Sequence, residues 1–150
     1  MVKRNESKIE CAKEIILNSF YFLEDKYYYA PVFRIEESNI FIESLDVEYT
    51  NEIRRRKINI SFTKGKLGDN TKYTFTVSIT RTPYTGVEDF FSMSNYLQSL
   101  GKDFNTSIIN DFDKSEADII VKKIAEALKE HASKIIEGAI WLETFYPRRD

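Results

Sequence analysis

Apolar positions recur along this chain with two different periods, and the change from one to the other falls at a proline. Ile9, Ala12, Ile16, Phe20 and Leu23 follow one another three or four residues apart, the spacing of one helix face. Ser7 and Glu10 stand three apart near its start and read as a capping box, in which each side chain satisfies a free backbone N–H. The pattern predicts a helix over residues 6–24. The segment DKYYYAP ends it, because Pro31 cannot sit in a helix interior.

Beyond Pro31 the period falls to two. Residues 32–35 predict a short strand, its membership of the sheet left open. Over residues 40–50, Leu45, Val47 and Tyr49 share one face and Ser44, Asp46 and Glu48 the other. Next, Ile58, Ile60 and Phe62 oppose Arg55, Lys57, Asn59, Ser61 and Thr63; then, over residues 72–82, Tyr73, Phe75, Val77 and Ile79 oppose Thr74, Thr76, Ser78 and Thr80. One dry and one wet face predict an antiparallel sheet covered on a single side. TKGKLGDNT, residues 63–71, reads as the hairpin loop between the last two strands.

The basic run Arg54, Arg55, Arg56, Lys57 opens one of these strands. With Asn51 and Glu52 as a two-residue turn, Asp46 faces Lys57, Glu48 faces Arg55 and Leu45 faces Ile58, so the run is half of a charge ladder. Each such pair is worth a few tenths up to about 1 kcal/mol. Asn-Glu is not the favoured Asn-Gly pair, so a loop one or two residues longer, with a different register, stays open.

After the turn signal at residues 82–86, residues 87–100 place Phe90, Met93, Leu97 and Leu100 on a helical stripe with Gly101 as its stop. Residues 102–112 carry no clear period. From Asp113 the longest helical pattern aligns Ala117, Ile120, Ile124, Leu128, His131, Ile135, Ala139 and Leu142, with Ser115 and Asp118 as its cap, Gly138 as a bend and residues 146–150 as a tail. The predicted fold is α+β: a two-layer sandwich, an antiparallel three- to four-stranded meander with helices packed on one face, in the order α-β-β-β-(β)-α-α.

Composition narrows the chemistry. A chain of 150 residues with 42% hydrophobic and 31% charged positions reads as a single globular domain, residues 1–150. No apolar run approaches the ~20 residues of a membrane span, and charged residues interrupt the first twenty, so a cytoplasmic protein without membrane contact is expected. Cys11 is the only cysteine, which excludes an internal disulfide; on an amphipathic helix it reads as a small apolar residue. The net charge of −2 argues against a phosphate-binding domain, which usually shows a basic excess.

His131, the sole histidine, falls on the last helical stripe as a half-buried structural residue, and no Gly-x-Ser-x-Gly elbow is present. Asp111, Asp113 and Glu116 resemble a cation loop, but positions 116 and 122 are Glu and Lys where a calcium loop needs Gly and Glu. No catalytic residue, metal or cofactor is expected. KYTFTVSI evokes an RNA-stacking strand, yet it lacks that motif's glycines, and Tyr73 and Phe75 fall on the dry face. The unexplained feature is aromatic: Phe20, Tyr21, Phe22, Tyr27, Tyr28, Tyr29 and Phe33 crowd one short segment, and alternation cannot hide three consecutive tyrosines. Tyrosine is enriched in binding hot spots.

NIFIESLDVEYTNEIRRRKINISF, preceded by FLEDKYYYAPVF and followed at a distance by KIAEALKEHASKIIEGAIWL, resembles small bacterial immunity-type proteins over about half of the chain. The resemblance implies a non-enzymatic protein that binds a cognate toxin, and it assigns no functional residue. The expected function is a protein-binding module whose contacts are Tyr27, Tyr28, Tyr29, Lys57, Thr74 and Thr76. The alternative is nucleic-acid binding through Arg54, Arg55, Arg56 and Lys57. The oligomeric state is not encoded in any pattern.

Overall fold

A computed structural model describes residues 4–36, 43–102 and 105–141. The first helical pattern forms two helices, α1 (Arg4–Ser19) and α2 (Tyr21–Asp25). The backbone leaves helical values at Phe20 (φ −103°, ψ 15°), so the predicted single helix bends there, and both Phe20 and Leu23 are fully buried. Ser7 lies within α1 and not at its N-cap.

Six antiparallel strands follow: β1 (Ala30–Glu36), β2 (Glu43–Asn51), β3 (Arg56–Leu67), β4 (Asn70–Arg81), β5 (Phe90–Ser92) and β6 (Ser107–Ile109). Two further helices are α3 (Met93–Ser99) and α4 (Lys114–Glu137). The α+β class holds. Among the described residues the sheet has six strands where three to four were expected, and its added members explain why. Residues 90–92, expected on a helix, form β5 after a single 3-10 turn at Val87–Asp89. The stretch without a period contains β6. Residues 32–35 belong to the sheet through β1, which pairs with β2 along its whole length.

Neighbouring strands run in the order β1-β2-β3-β4-β5, and β6 pairs with the same edge of β4 as β5 does, further along. Leu45, Val47, Tyr49, Ile58, Ile60, Phe62, Tyr73, Phe75, Val77 and Ile79 form the buried face, as their alternation predicted. Burial of Tyr73 and Phe75 leaves neither ring free to stack on a base. They share one buried core with Ala117, Ile120, Ile124, Leu128 and Ile135 of α4 and with Ile9, Ile16 and Phe20. Asp113, and not Ser115 or Asp118, caps α4 by accepting from the Ser115 N–H at 3.0 Å. Gly138 ends α4 in the left-handed conformation (φ 88°) instead of bending it, and Ala139 lies beyond the helix. The expected tail, Leu142, and the start of the 40–50 strand lie outside the described residues. Among the described residues no helix is long and apolar enough to cross a membrane.

The β2–β3 register differs from the charge ladder. Leu45 faces Phe62, Asp46 faces Ser61, Glu48 faces Asn59 and Lys57 faces Thr50. The loop is Glu52–Arg55, two residues longer than Asn51–Glu52, and it closes through the Arg55 N–H donating to the Glu52 carbonyl at 3.1 Å with Arg55 at φ 60°. The loop is two residues longer and also starts one residue later, and together these slide every facing position by four. The acids of β2 therefore meet hydroxyls and amides: Asp46 accepts from Ser61 Oγ at 2.8 Å and Asn59 Nδ2 at 3.1 Å.

Candidate functional site

The β2–β3 loop sits where three separate parts of the chain converge, and its arginines make the junction. Asn51 donates to the Tyr27 carbonyl at 3.0 Å and accepts from the Arg54 N–H at 2.9 Å. Arg54 then donates through Nε to the Tyr27 carbonyl at 3.0 Å and through Nη1 to the Glu137 carbonyl at 2.8 Å. Arg55 Nε donates to the Thr82 carbonyl at 2.8 Å, and the Thr82 N–H returns a bond to the Arg55 carbonyl at 2.9 Å.

Arg56 goes furthest inward. It is only 4% exposed, donating to the carbonyls of Ile135 (2.9 Å), Ile140 (2.8 Å), Arg55 (3.1 Å) and Arg54 (3.3 Å). Two of these acceptors lie at and just beyond the end of α4, where orphan carbonyls gather the negative end of the helix dipole. The Trp141 ring covers the guanidinium at 4.8 Å. Burial pulls the Arg56 pKa below the ordinary arginine value, and the neighbouring charges of Arg81 and Arg55 add to the shift.

Beside it, Arg81 binds Asp89 at 2.7 Å. Asp89, itself 3% exposed, also accepts from the Thr85 hydroxyl (2.7 Å) and N–H (2.8 Å). The Thr85 bonds, then Arg81, hold its carboxyl far below the usual carboxylate range.

These groups surround a cleft of about 700 Å³ lined by Arg54, Arg55, Arg56, Arg81, Tyr28, Ile53 and Trp141 among others. Two of its lining side chains project into solvent: Tyr28 is 75% and Ile53 94% exposed. Tyr28 occupies the left-handed region (φ 62°) where the chain leaves α2, with Tyr29 N–H bonded back to the Leu23 carbonyl at 2.9 Å. A glycine is the usual residue at such a helix stop. For tyrosine the conformation costs about 1 kcal/mol or more.

The chain matches no protein-family model, no curated protein and no solved structure.

The residues singled out from the sequence divide accordingly. Tyr28 and Arg54–Arg56 meet in the cleft. Tyr27 and Tyr29 do not reach a partner surface: both are buried, because they flank the left-handed Tyr28 and point the opposite way, and the Tyr29 hydroxyl donates to the Ile136 carbonyl at 2.6 Å. Arg56 is likewise withdrawn from any surface contact. Lys57, Thr74 and Thr76 lie on the polar face of the sheet, partly or fully exposed. Lys57 faces Thr80, so Thr76 and Thr74 stand roughly 13 and 20 Å further along β4, and Thr74 shares a hydrogen bond with Ser107 at 3.2 Å.

Ile53, Arg81 and Trp141 escaped sequence reasoning. One signal was present: Arg56 has the parity of Ile58, Ile60 and Phe62, which places it on the dry face. Elsewhere, burial raises the pKa of the Cys11 thiol, against a nucleophile. His131 is mostly buried, 3.6 Å from Glu130. Among the described residues no group of three His, Cys, Asp or Glu could hold a metal.

Proposed function

We propose that the chain is a protein-binding module without catalytic chemistry of its own, meeting its partner through Tyr28, Ile53 and Arg55 and the adjoining polar strand surface at Lys57, Thr74 and Thr76. In this reading the helices form one layer on the apolar side of the sheet, and the hydroxyl-rich side is left for the partner. The observation that carries it is the display of Tyr28 and Ile53 in solvent beside the arginine cleft, with both Tyr28 and Arg55 in left-handed backbone. Aromatic and arginine side chains dominate binding hot spots, and strained backbone is concentrated at functional sites. Neutralisation of a toxin is the finer form of the proposal, supported by the resemblance to immunity-type proteins.

The test is capture of partners from the source cell by the tagged full chain, with Tyr28→Ala and Ile53→Asp as variants. One stoichiometric partner, lost with both variants while their circular dichroism matches wild type, is expected. Absence of a stoichiometric partner, or equal capture by all three chains, overturns the proposal. If the partner is a toxin, equimolar addition of the chain abolishes its activity.

Nucleic-acid binding through Arg54, Arg55, Arg56 and Lys57 is the competing reading. It is weakened by the burial of Arg56 and by Glu48, which lies on the same sheet face as Lys57, two residues along β2 from its cross-strand neighbour Thr50. It requires salt-sensitive binding to heparin that falls when Arg55 and Lys57 are neutralised.

A further inference from the structure

We infer that the cleft at the end of α4 is an oxyanion site that receives a carboxylate borne on an apolar or aromatic body, of the kind an acidic segment of a partner protein presents. The inference rests on the protein-binding reading and names the chemistry of its contact.

Charge is the first ground. Among the described residues that line the cleft, four arginines stand against one carboxylate, Glu137, and Asp89 offsets Arg81. This set carries two positive charges in excess. Arg54, Arg55 and Arg56 spend their hydrogen bonds on carbonyls, which satisfy donors but cancel no charge. A concave, partly desolvated wall concentrates the field of such an excess.

Donor geometry is the second. Among the described residues the Arg55 side chain bonds only through Nε, to Thr82; that bond fixes the plane of the guanidinium and leaves both Nη groups, the fork that matches a carboxylate in two parallel bonds. Arg54 uses Nε and Nη1 and keeps Nη2. The carbonyls at the end of α4 do not oppose an anion, because the arginines and the N–H groups of Gly138 and Ala139 already occupy them.

Surface chemistry is the third. Tyr28, Ile53 and Trp141 give the cleft apolar and aromatic walls, which a bare inorganic ion would leave unused. A nucleic acid needs a line of exposed cations following its phosphates; here one of the four arginines is buried and another is paired with Asp89.

Trp141 is the only tryptophan and lines the cleft, so its fluorescence reports occupancy of the full-length protein at constant ionic strength. The probes are N-acetylphenylalanine, its uncharged amide, acetate, inorganic phosphate and a short mixed oligonucleotide. Saturable binding of N-acetylphenylalanine is expected, with acetate and phosphate weaker and the amide at least about ten-fold weaker, the worth of one charge-assisted bond pair. Arg55→Gln weakens the acid about ten-fold, Arg55→Lys restores part of it by keeping charge without the fork, and the distant Lys66→Gln leaves it unchanged.

Equal binding of acid and amide, a response that sodium chloride reproduces, tighter binding of the oligonucleotide, or an unaltered Arg55→Gln titration each overturns the inference. The titration needs no partner. A flat titration with intact partner capture removes only this inference, and a saturable titration with no partner removes only the proposed function.

Discussion

Two buried tyrosines carry opposite consequences for their hydroxyls. The Tyr29 hydroxyl donates to Ile136 at 2.6 Å, whereas the buried Tyr49 hydroxyl has no hydrogen-bond partner among the described residues. Removing a satisfied buried hydrogen bond costs about 1–2 kcal/mol, while removing an unsatisfied hydroxyl relieves a desolvation penalty. Urea unfolding is therefore expected to find Tyr29→Phe destabilised by about 1–2 kcal/mol and Tyr49→Phe neutral or more stable by up to about 1 kcal/mol. Arg56→Met strips donors from four carbonyls at once. Its expected cost is roughly 2–4 kcal/mol, measured in the same experiment, and a loss below about 0.5 kcal/mol would show that the bonds to the end of α4 carry no weight.

Gly138 joins α4 to the β2–β3 loop at the scale of whole elements. Its left-handed φ of 88° already disfavours any side chain, and a Cβ there would meet the Arg54 carbonyl oxygen at 3.0 Å. At Gly101 the φ is 74° but the space around a Cβ is open. Gly101→Ala is thus expected to cost about 1 kcal/mol, and Gly138→Ala clearly more, read from paired thermal melts; equal costs would mean that the loop simply yields. The sequence made the long elements legible, since β2, β3, β4 and α4 each repeat their period several times. It hid β5 and β6 because three residues hold no period, and Phe90 of β5 extends the true helical stripe of Met93 and Leu97 in α3 by coincidence of spacing. The register was hidden for another reason: Arg55 takes a left-handed conformation that no glycine announced. The cleft was half visible, with Tyr28 and the arginine run in plain view. Its far wall, Arg81 and Trp141, arrives from distant segments that no local pattern links.

Across the whole molecule, Asp89 bounds the pH range of stability on the acid side, and Tyr29 and Tyr49, with the Cys11 thiol, bound it on the alkaline side. Asp89 has a depressed pKa, through Thr85 first and Arg81 after it, so its contribution is complete above the ordinary carboxylate range and drains away as pH falls below about 4. Tyr29 and Tyr49 have raised values, chiefly from burial. Their contribution is complete below about pH 10 and is lost as pH rises beyond it. Urea midpoints against pH should plateau from roughly pH 5 to 9 and fall on both sides, with Asp89→Asn flattening the acid limb and Tyr49→Phe the alkaline limb; unchanged limbs would contradict these assignments. Two of the three consecutive guanidiniums, those of Arg54 and Arg56, also act as a clasp, since they grip residue 27 on one side and residues 135–140 on the other. A chain nicked after the exposed Lys102 should therefore stay together as two co-eluting pieces, and neither fragment made alone should survive as a folded body.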